Sequence, residues 1–180
     1  MHVWGSGSLT GRSRWLALAA VLTVLAMPAP ATASEEPLSA AEAIDFASGA
    51  SGHRHSLPAY WETQFPRLWL ADYRHPTLLT PGAIGTEPAG PCQHTSDSIA
   101  GNSSYCLWDS TIAYDPALIE KIFASHGPAA PMAVLAHEWG HHVQALASFP
   151  WRSVRREQQA DCYAGAYLGH LAAEGLLGHR

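Results

Sequence analysis

Apolar residues recur at three- and four-residue intervals late in the chain, and that period predicts helix rather than strand. Met132, Leu135, Trp139, Val143 and Leu146 form one stripe in a segment, 130–147, whose lone proline, Pro131, falls where a first helical turn tolerates it. The stripe is expected to be a buried face. A second helical stretch is predicted over 153–177, where the run Cys162-Tyr163-Ala164-Gly165-Ala166 reads as packed. Upstream, Ser39-Ala40-Ala41-Glu42 reads as a capping box opening a short helix to about Ala47, and Leu57 to Phe65 as another helix ended by Pro66. Residues 49–55 read as loop, with His53 and His55 on the surface. Pro76, Pro81, Pro88 and Pro91 then punctuate a region of little regular structure. Leu107 to Tyr114 has strand character, and Asp115-Pro116 opens a helix to about Ser125 with an N-cap acid and proline at the first position. Trp61, Trp69, Tyr60 and Tyr73 are expected in the core or lining a groove. The implied class is α+β, mainly helical, with a small β element and no repeats.

The amino terminus changes the expected compartment. Arg12 and Arg14 precede the apolar run Trp15 to Met27, and Ala31-Thr32-Ala33 offers a small-residue cleavage site, so residues 1–33 read as a secretory signal peptide. A run of thirteen residues is short for a membrane span. Residues 34–180 suffice for a single domain with its own core, and no stable membrane insertion is expected after cleavage. Losing Arg12 and Arg14 takes the formal charge from −5 to −7, which argues against nucleic acid or an anionic membrane as partner. Among the three cysteines, Cys92 and Cys106 flank a polar loop while Cys162 lies within a helix, so the first two are expected to pair.

The candidate chemistry lies on the striped helix. His137-Glu138-Trp139-Gly140-His141 places two imidazoles one turn apart on one face, able to reach a single Zn2+, with a carboxylate beside them to act on a water. The histidines lie to one side of the apolar stripe, as ligands must if the helix backs onto a core. Gly140 in a helix interior is disfavoured by about 1 kcal/mol relative to Ala, which hints at a close approach by another backbone or a substrate. Glu157 and Asp161 share a face of the next helix, so one can complete the ligand set and the other can orient a ligand histidine. Glu157 is assigned to the metal and Asp161 to a histidine. The reverse division, and a merely solvated acidic face offset by Arg155 and Arg156, remain open at this point. Cysteine as a zinc ligand is the weaker rival to the disulfide, because the His and Glu set is already complete, and His142 points away from the metal face.

Two blocks, His137-Glu138-Trp139-Gly140-His141-His142-Val143-Gln144 and Glu157-Gln158-Gln159-Ala160-Asp161-Cys162-Tyr163-Ala164-Gly165, resemble the neutral zinc metallopeptidases of bacteria. Tyr105-Cys106 followed by Ile112-Ala113-Tyr114-Asp115 is a weaker third block. The resemblance spans about Cys92 to His170, and the chain departs from the family in its short link between the two helices and in its amino-terminal half. It implies a small zincin-like domain, zinc held by His137, His141 and Glu157, and Glu138 as catalytic base. In zinc peptidases generally an edge strand beside the active helix pairs with an extended substrate, so Leu107 to Tyr114 is the candidate strand. Tyr114, Tyr163, Tyr167 and His170 are candidates for stabilising a developing oxyanion. The expected function is an exported, extracytoplasmic bacterial zinc peptidase acting on peptides or proteins. A cell-wall peptide amidase and a non-catalytic envelope binding protein are the alternatives, and the retained Glu138 argues against the last.

Overall fold

The order of elements follows from local capping and turn chemistry, and a computed structural model describes residues 38–79, 84–85, 90–149 and 154–177. The expected signal peptide lies outside these residues. Helix α1 (Ala40–Ser48) opens as predicted: the Ser39 hydroxyl accepts from the Glu42 backbone N–H, and the Glu42 carboxylate accepts from the Ser39 N–H at 2.8 Å. It stops at Gly49, which sits at φ 80°, with Ser56 Oγ only 3.0 Å from where a Cβ would stand.

Helix α2 (Leu57–Trp69) runs past the predicted stop at Pro66. Proline removes one intrahelical bond, but Phe65 and Trp69 pack one turn apart with ring centroids at 4.8 Å, and the Leu70 N–H bonds the Pro66 carbonyl at 3.0 Å. Packing in the last turn outweighs the single lost bond.

The strand expectation needs a larger correction. Strands β1 (Thr77–Leu78), β2 (Ser103–Cys106) and β3 (Thr111–Tyr114) form one sheet in the order β1-β3-β2. β1 runs parallel to β3, and β2 antiparallel to it with Ser103 opposite Tyr114 and Cys106 opposite Thr111. The span Leu107–Ser110, read as strand, is instead the turn of this hairpin, with Trp108 exposed and Ser110 at φ 58°. Asp109 enforces the turn, its carboxylate accepting from the Thr111 N–H and hydroxyl. The predicted strand is therefore central rather than an edge, and β2 is an edge.

The Cys92–Cys106 disulfide ties the segment before the short helix α3 (Ser96–Ile99) to the end of β2, with Cα atoms 5.9 Å apart. Asp115 caps α4 (Pro116–His126) through the Ala117 N–H and also accepts from the Gly101 N–H. Helix α5 (Ala129–Leu146) occupies the centre, packed against α1, α4, α6 (Val154–Ala173) and β2. Its stripe Met132, Leu135, Trp139 and Val143 is buried with Trp61, Phe65, Ile112 and Tyr167, each large aliphatic or Phe side chain contributing roughly 1.5–3 kcal/mol on transfer from water. The run after Asp161 is only partly packed: α6 buries the line Ala160, Ala164, Tyr167 and Leu171, while Cys162 is free and exposed. No helix among the described residues is long and apolar enough to cross a membrane.

Candidate metal centre

His137 and His141 stand one turn apart on α5 with ring centroids at 4.8 Å and planes nearly perpendicular. Their Nε2 atoms lie 3.3 and 3.2 Å from the same oxygen, Oε2 of Glu157 on α6. Their Nδ1 atoms are engaged elsewhere: His137 with Asp161 Oδ1 at 2.8 Å, and His141 with Gln144 Oε1 at 3.1 Å. The Gln144 amide nitrogen already donates to the Arg156 carbonyl and to Gln159 Oε1, so its oxygen faces His141 as an acceptor. Both Nδ1 atoms must then carry hydrogen, which turns both Nε2 lone pairs toward Glu157.

Three lone-pair donors converging within 4.8 Å of one another repel unless a cation or a proton sits among them. The dimensions suit zinc, because donors held at 2.0–2.1 Å in a tetrahedron are about 3.3 Å from each other. The donor chemistry fits as well, with two neutral imidazoles, one carboxylate and a fourth position left for water or substrate. Asp161 faces the outer nitrogen of His137 and not the convergence point.

Gly140 explains how α6 comes so near. A Cβ there would stand 2.9 Å from Ala160 Cα and 3.0 Å from its carbonyl oxygen, so the absent side chain lets the two backbones cross at the level of the site. The close approach anticipated at Gly140 is to a backbone. Glu157, three residues before Ala160, is thereby brought onto the histidine face. Its carboxyl lies below the ordinary range: partial burial raises it, and the neighbouring His141, Arg156 and His137 outweigh that effect.

Glu138 is turned about 100° round the helix from His137, buried at 6 % exposure, with Oε1 accepting from Ser103 Oγ at 2.8 Å. Burial pushes its carboxyl above the usual range, against the Ser103 hydrogen bond and the nearby His141 and His137. Asn102, Ser103, Val134, His137, Glu138 and Asp161 line an open cleft of about 410 Å³. The strand beside this cleft is β2, through Ser103, so β2 replaces the span Leu107–Tyr114 as the substrate-strand candidate.

Three of the oxyanion candidates are engaged elsewhere: Tyr167 donates to the His55 carbonyl, His170 meets the His55 ring at 3.2 Å, and Tyr163 packs edge-on against Trp61 and Trp69. His55 is accordingly less exposed than a surface reading implies. Tyr114 stays beside Glu138, opposite Ser103 in the sheet and lining one small cavity with both. His142 is fully buried, donating from Nε2 to the Arg74 carbonyl at 2.6 Å and accepting at Nδ1 from Tyr105. Burial pushes its pKa down to about 4, so it is neutral and ties α5 to β2.

Two residues of the site had no role in the sequence reading. Gln144 was within reach of it, because a polar residue three positions after His141 shares its helix face. Ser103 carried no local signal.

The chain matches a protein-family model described as "Putative neutral zinc metallopeptidase" over residues 18–178. It is 33% identical over 129 residues to the uncharacterized protein Rv2575 of Mycobacterium tuberculosis, covering 63% of this chain and 40% of that one. It is 29% identical over 136 residues to the uncharacterized protein YpfJ of Escherichia coli, covering 65% of this chain and 45% of that one. The chain thus spans less than half the length of these curated relatives. No solved structure gives a significant match.

Proposed function

Because the chain belongs to this neutral zinc metallopeptidase family, we propose that it is an exported zinc-dependent peptidase that cleaves peptide bonds with Glu138 as general base. The observation that carries this reading is the convergence of His137 Nε2, His141 Nε2 and Glu157 Oε2, with both outer ring nitrogens already bonded. These three residues would hold the metal, and Asp161 and Gln144 would fix the tautomers of the two rings. A bound zinc supplies Lewis-acid charge, which acidifies a water to a pKa of about 7 and stabilises negative charge on a carbonyl oxygen.

The remaining chemistry belongs to side chains of this protein. Glu138 takes the proton of the attacking water and passes it to the leaving amine, which suits a carboxyl that burial holds above its ordinary range. Ser103 holds one of its oxygens, so the other is the one that exchanges the proton. An extended peptide lies along β2 and pairs with its main chain, since β2 is the edge strand at the cleft. Export is supported by the basic and apolar start of the chain and by the Cys92–Cys106 bridge.

The test is metal analysis of the purified protein followed by cleavage profiling on a peptide library. About one zinc per chain is expected, and Glu138→Gln should keep the metal while hydrolysis falls by about 10²–10⁴-fold. A wild-type protein that retains no supplied zinc overturns the metal assignment. Undiminished turnover in Glu138→Gln overturns the base. Zinc binding with no cleavage of any peptide leaves the binding-protein alternative.

A further inference from the structure

A second cluster of metal-binding side chains lies away from this centre, around the disulfide. The sulfurs of Cys92 and Cys106 and a ring nitrogen of His94 all fall within 4.8 Å of one another. His94 is 8 % exposed and Cys106 1 %, and His94 Nε2 is the one buried side-chain nitrogen or oxygen among the described residues without a hydrogen-bond partner. A buried polar atom left without a partner destabilises a fold unless something occupies it in another state. The ring that carries this orphaned nitrogen is the one that stands against the two sulfurs. Two cysteine sulfurs and an imidazole are the donor set of a thiophilic divalent cation, and the disulfide is the one bond that withholds it.

We propose that Cys92, His94 and Cys106 form a redox-gated zinc site, closed as a disulfide when oxidised and opened to Zn2+ by a dithiol reductant. In the opening step the dithiol transfers two electrons and two protons to the Cys92–Cys106 bond, becoming a disulfide itself and leaving two thiols. Binding of Zn2+ then displaces both thiol protons and uses the lone pair of His94, with a water or anion completing the tetrahedron. The movement required is small. Sulfurs bound to one zinc at 2.3 Å lie about 3.8 Å apart, a separation that rotation of two side chains on Cα atoms 5.9 Å apart can reach. The ion thereby replaces the disulfide as the staple between the α3 segment and β2, whose far end carries Ser103 to Glu138.

Cobalt(II) separates this site from the histidine and glutamate centre, because only sulfur ligands give an intense thiolate-to-metal charge-transfer absorption. In a Cys162→Ser background, Co2+ titrated into protein reduced with a phosphine should develop that absorption and saturate it within about two equivalents, since the histidine and glutamate centre takes Co2+ as well. The oxidised protein should show none, and added Zn2+ should abolish it. His94→Ala leaves the disulfide intact during folding and carries the decision. It should weaken Co2+ binding in the reduced state by more than about 100-fold, the upper range for losing a mere outer partner. Absence of the absorption in the reduced Cys162→Ser protein overturns the site, and so does equal affinity when His94→Ala is added to it. A reduced protein that loses its helical circular dichroism and does not regain it with Co2+ also overturns it.

Discussion

Helix α5 buries its stripe, its Glu138 and most of its histidine face, with His141 Nε2 and Nδ1 both engaged and Trp139 2 % exposed. Helix α6 buries one narrow line and leaves the side chains of Glu157 and Asp161 53 % and 72 % exposed. The two helices meet backbone to backbone at Gly140 and Ala160, yet they hold their share of the site by different means. On α5 the rings are positioned by close packing, where a displaced neighbour is felt at once. On α6 the acids are positioned by charge and reach, which water screens. Stability should therefore reside in α5, and metal binding should be separable from stability on α6.

The largest expected effect tests the α6 side. Glu157→Ala should abolish zinc retention, since it removes one of three protein donors, while shifting the unfolding midpoint little, as surface changes typically stay within about 0.5 kcal/mol. Zinc titration alongside chemical denaturation of the apo protein reads both. A large loss of stability would erase the distinction between the helices.

Trp139→Ala tests the opposite side and should destabilise the fold by about 3–5 kcal/mol, because it empties a buried site and strands the Tyr73 hydroxyl that accepts from its indole at 2.6 Å. Denaturant unfolding would show it. Asp161→Ala should sit between the two in character, costing about 10–100-fold in zinc affinity through loss of the hydrogen bond to His137. If Asp161→Ala loses metal outright while Glu157→Ala keeps it, the roles of the two acids are reversed.

The smallest effect sharpens the crossing itself. Gly140→Ala gains about 1 kcal/mol of helix propensity but forces a Cβ against Ala160, at a cost of about 1–3 kcal/mol, for a net destabilisation near 1 kcal/mol. Adding Ala160→Gly should not recover that loss, because the Ala160 Cα and carbonyl oxygen remain in the way and Gly in a helix interior costs about 1 kcal/mol more; a single variant more stable than wild type would show that the contact is not tight.

Helix positions were legible where their causes are local. The Ser39 capping box, the Asp115-Pro116 start and the α5 stripe each depend on residues within a turn of one another, and each element is where its pattern put it. Misreadings arose where a distant partner decided. Pro66 does not end α2, because Trp69 packs onward against Phe65 and Tyr163. The span 107–110 is a turn, because Asp109 and the pairing of polar β2 with β3 outweigh its apolar residues. Cys162 is exposed, because the buried line of α6 passes through Ala160 and Ala164 instead.

By itself the sequence determined the pair His137 and His141 with Glu138 beside them, because four residues make one helical turn whatever surrounds it. It also held Glu157 and Asp161 on one face for the same reason. Only the tertiary structure decided that α6 crosses α5 at Gly140, so that Glu157 Oε2 reaches both Nε2 atoms while Asp161 takes the outer nitrogen. It likewise decided that β2 is the edge at the cleft, that Ser103 holds Glu138, and that His94 is buried against the Cys92–Cys106 bridge. Those contacts join residues far apart in the chain, and their geometry is set by how the helices and sheet fill one core, which no periodicity within a single segment encodes.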